Sequence, residues 1–105
     1  MNNNFNVIIS KEFYRMLDCH IEFLTRVSAP AARKLNKAVF NAITSLAERA
    51  NSYPVWIKDY AADVQYRCIL VNKRYLIIYY VAGENIFVDY LFVSRMDNSK
   101  FFTQI

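Results

Sequence analysis

The stretch from Val64 to Asp97, VQYRCILVNKRYLIIYYVAGENIFVDYLFVSRMD, constrains the fold more than any other part of the chain. Alternation and enrichment in β-branched and aromatic residues run through 64–71, 74–82 and 86–94, interrupted only by Asn72-Lys73 and by Ala82-Gly83-Glu84-Asn85. Strand-like runs separated by such short breaks predict three consecutive strands in an antiparallel meander. Side chains alternate across a strand, so Tyr66, Cys68 and Leu70 oppose Arg67, Ile69 and Val71. By the same rule Tyr75, Ile77, Tyr79 and Val81 oppose Leu76, Ile78 and Tyr80. Both faces are apolar, which calls for cover on one side and a concave or partner-covered surface, bearing aromatics, Arg67 and Asp89, on the other.

The cover comes from the N-terminal half. Phe5-Asn6-Val7-Ile8-Ile9 is short and β-branched and reads as a strand, stopped by Ser10. Ser10 is suited to cap a helix whose first turn holds Glu12. That helix runs to about Val27, with Phe13, Leu17, Ile21 and Leu24 at helical spacing and Met16, His20, Phe23 and Val27 widening the stripe. Ser28-Ala29-Pro30 ends it and opens a second, since Ser28 can cap and proline is tolerated in a first turn. The second helix runs to about Ala50 on a stripe of Leu35, Val39, Ala42, Ile43, Leu46 and Ala50. Residues 51–63 hold the turn signal Tyr53-Pro54 and connect the helical hairpin to the meander, pinned by Trp56 and Tyr60.

The expected architecture is therefore α+β: an N-terminal strand, a helical hairpin, then a three-stranded antiparallel meander. At 105 residues, residues 1–105 form a single domain able to close its own core. A hydrophobic fraction of 55%, with eight Tyr and eight Phe, argues against disorder and leaves apolar surface for a partner. The net charge is +4, with no basic tail: residues 1–53 hold seven basic and four acidic side chains, residues 54–105 six and five. Cys19 and Cys68 lie in unrelated elements and no signal-peptide pattern opens the chain, so the expected setting is cytoplasmic with free thiols. No apolar run approaches the roughly 20 residues that span a bilayer, and no membrane partner is expected.

The residues also exclude several chemistries. One glycine cannot make a glycine-rich phosphate loop, and one histidine with two distant cysteines makes no zinc set, so no metal or cofactor is expected. Neither a paired-carboxylate nor a nucleophile-elbow pattern is present. His20 has two readings, a general base or a packed helix residue, and no Ser, Cys or Asp pattern accompanies it to support the first. Arg33, Lys34 and Lys37 cluster in the opening turns of the second helix, against its dipole. They are either a solvated face or a patch for phosphate or a carboxylate-rich partner. Any catalysis would rest on Arg, Lys, Tyr or Asp, which suit stabilising a phosphoryl group better than acyl transfer.

The order of elements, with Tyr66-Arg67 opening a strand, Lys73-Arg74-Tyr75-Leu76-Ile77-Ile78-Tyr79-Tyr80-Val81 and Val93-Ser94-Arg95-Met96-Asp97, resembles the RelE/ParE superfamily of bacterial type II toxins. These are often called plasmid stabilisation proteins. The resemblance implies a curved antiparallel sheet with two helices packed on one face. It implies growth arrest and neutralisation by a cognate antitoxin, with either ribosome-bound messenger RNA or DNA gyrase as target. RelE-like members are mRNA interferases; ParE-like members inhibit gyrase without cutting RNA. Carried over residue by residue, Arg67 fits the nuclease members' basic residue on the first meander strand, and Arg95 stands beside their arginine beyond the last. These two are the catalytic candidates. Leu76 occupies the middle-strand arginine position, and Phe101 or Phe102 stands where a late tyrosine would be. Lys73, Arg74, Tyr79, Tyr80, Arg33 and Lys37 are the candidates for holding target or RNA. Each arginine has a structural alternative, pairing with a carboxylate such as Asp89 or Asp97. Three readings follow: a ParE-type binding inhibitor, a ribosome-dependent endoribonuclease, and a catalytically inert binding module.

Overall fold

A computed structural model of the chain describes residues 5–56 and 64–93. The elements run β1 (Asn6–Ile9), α1 (Lys11–Val27), α2 (Ala29–Arg49), β2 (Arg67–Val71), β3 (Tyr75–Ala82) and β4 (Asn85–Val93). This is the α+β layout expected from the sequence, and both helix ends fall where the capping residues placed them. Ser10 Oγ accepts from the Phe13 amide at 2.9 Å, and Ser28 Oγ accepts from the Ala31 amide at 3.2 Å. Each bond satisfies an amide left free by helix geometry and stabilises its helix by about 1 kcal/mol.

The four strands form one sheet in the order β1-β4-β3-β2. The meander β2-β3-β4 is antiparallel, as expected, but β1 joins the β4 edge in parallel, with Val7 opposite Ile86 and Ile9 opposite Val88. The sheet is therefore mixed at one edge. A parallel neighbour needs a long crossover, and the helical hairpin supplies it while covering one face. On that face Phe13, Leu35, Val39, Leu46, Ile69, Val71, Tyr75, Ile77, Tyr79, Ile86, Val88 and Leu91 close the main core. Each fully buried aliphatic of this kind contributes about 1.5–3 kcal/mol relative to exposure.

Two details depart from the sequence pattern. Phe23 and Val27, expected to widen the apolar stripe of α1, stand 64% and 69% exposed. The stripe that packs runs through Phe13, Leu17, Ile21 and Leu24 and is widened by Met16 and His20 but not by Phe23 and Val27, because helix and sheet meet along only part of the cylinder. The second detail is in β4. Ile78 pairs with Tyr90 but Tyr79 pairs with Val88, so Asp89 is an extra residue on the strand, a β-bulge. The bulge shifts the phase of the alternation: Val88 and Leu91 both face the helices, and Tyr90 turns to the opposite side with Asp89. It also anchors the start of α1, since the Ser10 amide donates to the Val88 carbonyl and Ser10 Oγ donates to the Asp89 carbonyl, both at 3.0 Å.

Candidate functional site

The sheet side away from the helices holds a second, smaller core of Cys68, Leu76 and Ile78 under Trp56, Tyr66, Tyr90 and Phe92. Strand alternation on β2 and β3, and the bulge on β4, bring the rings into one continuous run. Tyr80 stacks on Phe87 at 5.0 Å and meets Tyr66 edge-on at 5.4 Å. Tyr66 lies 6.3 Å from Tyr90, which stacks on Phe92 at 5.5 Å, and Phe92 lies 5.9 Å from Trp56. Geometries of this kind each add about 0.5–1.5 kcal/mol beyond area burial. The rings are half-buried, each keeping part of its surface toward solvent.

Asp89 sits within this run. The Tyr66 hydroxyl donates to its Oδ2 at 3.0 Å. Burial raises the Asp89 pKa above the ordinary carboxylate value, and the Tyr66 hydrogen bond opposes that shift. Tyr66 is pushed up to about 12, first by burial and then by its hydrogen bond to Asp89. Burial alone pushes the Cys68 thiol up to about 11, which keeps it protonated and unreactive at neutral pH.

The residues singled out from the sequence are dispersed. Arg67 lies on the face of Ile69 and Val71, not on the aromatic face, and its Nη1 donates to the Tyr53 carbonyl at 2.5 Å. It does not pair with Asp89, whose described partner is Tyr66, so the expected placement of Arg67 beside Asp89 is corrected. Arg67 fastens the 50–55 connector to the sheet edge, where Val55 forms a bridge to it. Tyr79 is also corrected as a target contact. It is completely buried, and its hydroxyl donates to the Ala50 carbonyl at 2.5 Å, so it has no surface to offer. Burial pushes its pKa up. Among the target-binding candidates, Tyr80 alone belongs to the aromatic run.

Lys73 and Arg74 are exposed on the β2–β3 turn, where the Arg74 amide donates to the Val71 carbonyl at 3.1 Å. Asn72 and Lys73 both take positive φ, 52° and 61°, which bends the hairpin with the twist of its strands. Arg33 and Lys37 are exposed on α2 and line a groove of about 620 Å³ between the helices. Its floor and walls include Phe13, Leu17 and Ile43, with Tyr14 and Phe40 standing 52% and 68% exposed. Arg95, Asp97, Phe101 and Phe102 lie outside the described residues. His20 is a packing residue: its Nε2 lies 3.2 Å from the Leu91 carbonyl and its ring meets Tyr75 edge-on. The carbonyl accepts, so Nε2 carries the hydrogen.

Sequence reading placed Asp89 and aromatics on the uncovered face but did not single out Phe87, Tyr90 and Phe92. Strict alternation along NIFVDYLFV would put Tyr90 in phase with Ile86 and Val88, in the helix-side core, and only the bulge reverses that. No residue type in this strand announces the extra residue, which shows only in the register of its pairing with β3.

Leu76 completes the geometry. It is 1% exposed on the middle strand, in the Cys68 and Ile78 cluster, so the centre of this face is closed by hydrocarbon. Among the described residues, no three His, Cys, Asp or Glu side chains cluster as a metal would require, and no helix is long and apolar enough to cross a membrane.

The backbone is similar to a chain of the chromosomal ParDE TA system from P. aeruginosa. The TM-score is 0.72 at 13% sequence identity, over 89% of this chain and 99% of that one. The likeness is one of fold. An architecture tolerates such divergence because burial pattern and volume, rather than residue identity, specify a core. No protein-family model and no curated protein matches the sequence.

Proposed function

We propose that this protein is the toxin component of a type II toxin–antitoxin module, acting in the cytoplasm, and that it arrests growth by gripping a protein target rather than by cutting RNA. The shared fold with a ParDE chain and the residues of the meander support the class. The observation that carries the choice of mechanism is Leu76. A nuclease of the resembling family places an arginine there to meet developing phosphoryl charge, and here the position is hydrocarbon with 1% exposure. Removing a group that stabilises a transition state commonly costs about a hundredfold or more in rate. Arg67 does not compensate, because its guanidinium is engaged by the Tyr53 carbonyl on the other side of the sheet.

Among protein targets, DNA gyrase is the one the ParE-type resemblance implies. Neutralisation is assigned to an antitoxin seated in the α1–α2 groove. Tyr14, Leu17, Phe40 and Ile43 offer it an apolar floor, and Arg33 and Lys37 line the same groove and favour carboxylates. An amphipathic acidic helix fits that chemistry.

Production of the chain alone in bacteria is expected to stop growth, and production with the neighbouring small gene to restore it. Purified protein is expected to block supercoiling by gyrase and to leave ribosome-bound messenger RNA intact. Cleavage in the ribosomal A site, abolished by Arg67→Ala or Arg95→Ala, would instead establish the nuclease. Normal growth with well-folded protein would leave only an inert binding module.

A further inference from the structure

We propose that the aromatic face of the sheet is a docking site for an arginine side chain of a partner polypeptide, with the guanidinium paired to Asp89 and flanked by the rings of Tyr66, Tyr80, Phe87 and Tyr90. This goes beyond the assignment of the helical groove to an antitoxin, and it holds or fails independently of the growth target.

Charge sets this side of the sheet apart. Along the described strands, the side turned away from the helices carries the amides Asn6 and Asn85, small and aliphatic residues, and the rings already named, with Asp89 between them. Asp89 is the one charged side chain among them. A chain with net charge +4 thus places its lone described charge on this face as an anion. Phosphate-bearing ligands are disfavoured at such a place, because stacking bases on these rings would bring a phosphate backbone toward a carboxylate.

The carboxylate is also only half used. Tyr66 occupies Oδ2, and Oδ1 has no hydrogen-bond or ion-pair partner among the described residues. The bulge holds the side chain in place from behind, since the Asp89 carbonyl is tied to Ser10. A partly buried carboxylate with a free oxygen favours a cation that brings its own hydrogen-bond donors. The surrounding rings narrow the choice further. A guanidinium is planar, weakly hydrated and stacks on aromatic faces while forking to a carboxylate, so arginine fits where a phosphate does not.

The test is a titration of the full-length protein with the capped tripeptide acetyl-Gly-Arg-Gly-amide and with its citrulline counterpart, which keeps the shape and removes the charge. Binding is followed by NMR of backbone amides and aromatic rings. The expected result is saturable shifts centred on Tyr66, Tyr80, Phe87 and Asp89, with the arginine peptide binding about tenfold more tightly than the citrulline peptide. Asp89→Asn keeps the acceptor for the Tyr66 hydroxyl and is expected to erase that preference. In the unaltered protein the preference is expected to shrink as pH falls and Asp89 takes up its proton, a readout that needs no variant. Equal binding of the two peptides, shifts that map elsewhere, or an unchanged preference in Asp89→Asn would overturn the proposal. So would a single-stranded oligonucleotide that saturates the same resonances more tightly than the arginine peptide.

Discussion

The two sides of the sheet use the same strands for opposite ends. The helix-covered side is closed by aliphatic residues with Phe13, Tyr75 and Tyr79, and polar atoms are engaged by the backbone, as in the bond from the Tyr79 hydroxyl to Ala50. The far side is covered by a layer of half-buried rings around a carboxylate. A fully enclosed side contributes stability and offers no surface; a half-enclosed one contributes less and remains available for recognition. A strand residue therefore acquires its role from the side it faces, and Tyr79 and Tyr80, adjacent in sequence, divide accordingly.

This contrast breaks most visibly under truncation. Leu46→Ala or Ile77→Ala, both at fully buried positions, is expected to cost about 3 kcal/mol in denaturant unfolding. Phe87→Ala on the far side is expected to cost no more than about half of that, because solvent reaches the space left behind. Equal losses would mean that the aromatic side is as much a core as the other.

A smaller effect separates the polar anchors. Tyr79→Phe removes the donor to the buried Ala50 carbonyl and is expected to cost about 1–2 kcal/mol, with the fold retained. Arg67→Ala releases the Tyr53 carbonyl, which is less enclosed, and is expected to cost about 1 kcal/mol. If Arg67→Ala left stability untouched yet abolished a biological activity, its role would be in the target contact instead.

Alkaline pH probes both sides, because burial raises the pKa of Tyr79 on the helix-covered side as well, and the far-side share is the part that a Tyr66 variant removes. The folded state holds protons on Cys68 and Tyr66 where the unfolded chain has already lost them. Stability is therefore intact below the ordinary values of 9.0 and 10.0 and declines as pH rises toward about 11 for Cys68 and about 12 for Tyr66. Tyr66→Phe is expected to flatten the decline between pH 10 and 12 in a series of urea melts. Asp89 has the same sign in the acid range: its raised pKa makes stability fall slightly as pH rises past its titration, so Asp89→Asn is expected to be neutral or mildly stabilising at pH 7.

The smallest effect lies at the hairpin turn joining β2 to β3. Lys73 has a φ of 61°, which disfavours any residue with a Cβ, so Lys73→Gly is expected to raise stability by up to about 1 kcal/mol. Its effect on growth arrest, measured in parallel, then reports the charge of Lys73 separately from its backbone.

Much of the fold was legible because it rests on local rules. Ser10 and Ser28 announced the helix starts through a side-chain oxygen placed before an apolar-periodic run, and the breaks at 72–73 and 82–85 separated the strands. The site was less legible, for a reason of phase. Period-two alternation assigns faces correctly along β2 and β3, but one extra residue at Asp89 reverses it within β4 and sends Tyr90 to the aromatic side. Similarly, Arg67 was identifiable as a polar residue on a strand, while its partner, the Tyr53 carbonyl, is a backbone atom that no side-chain pattern announces.

The sequence by itself determined the elements, their order and the excess of apolar surface beyond what two helices cover, because these follow from backbone geometry and burial area. Only the tertiary structure decided which edge β1 joins, which side each tyrosine faces, and that Asp89 stands among the rings with one oxygen bonded to Tyr66. Those outcomes depend on strand register. Register is settled by the packing of all four strands together, and a single bulge moves every side chain beyond it to the opposite face.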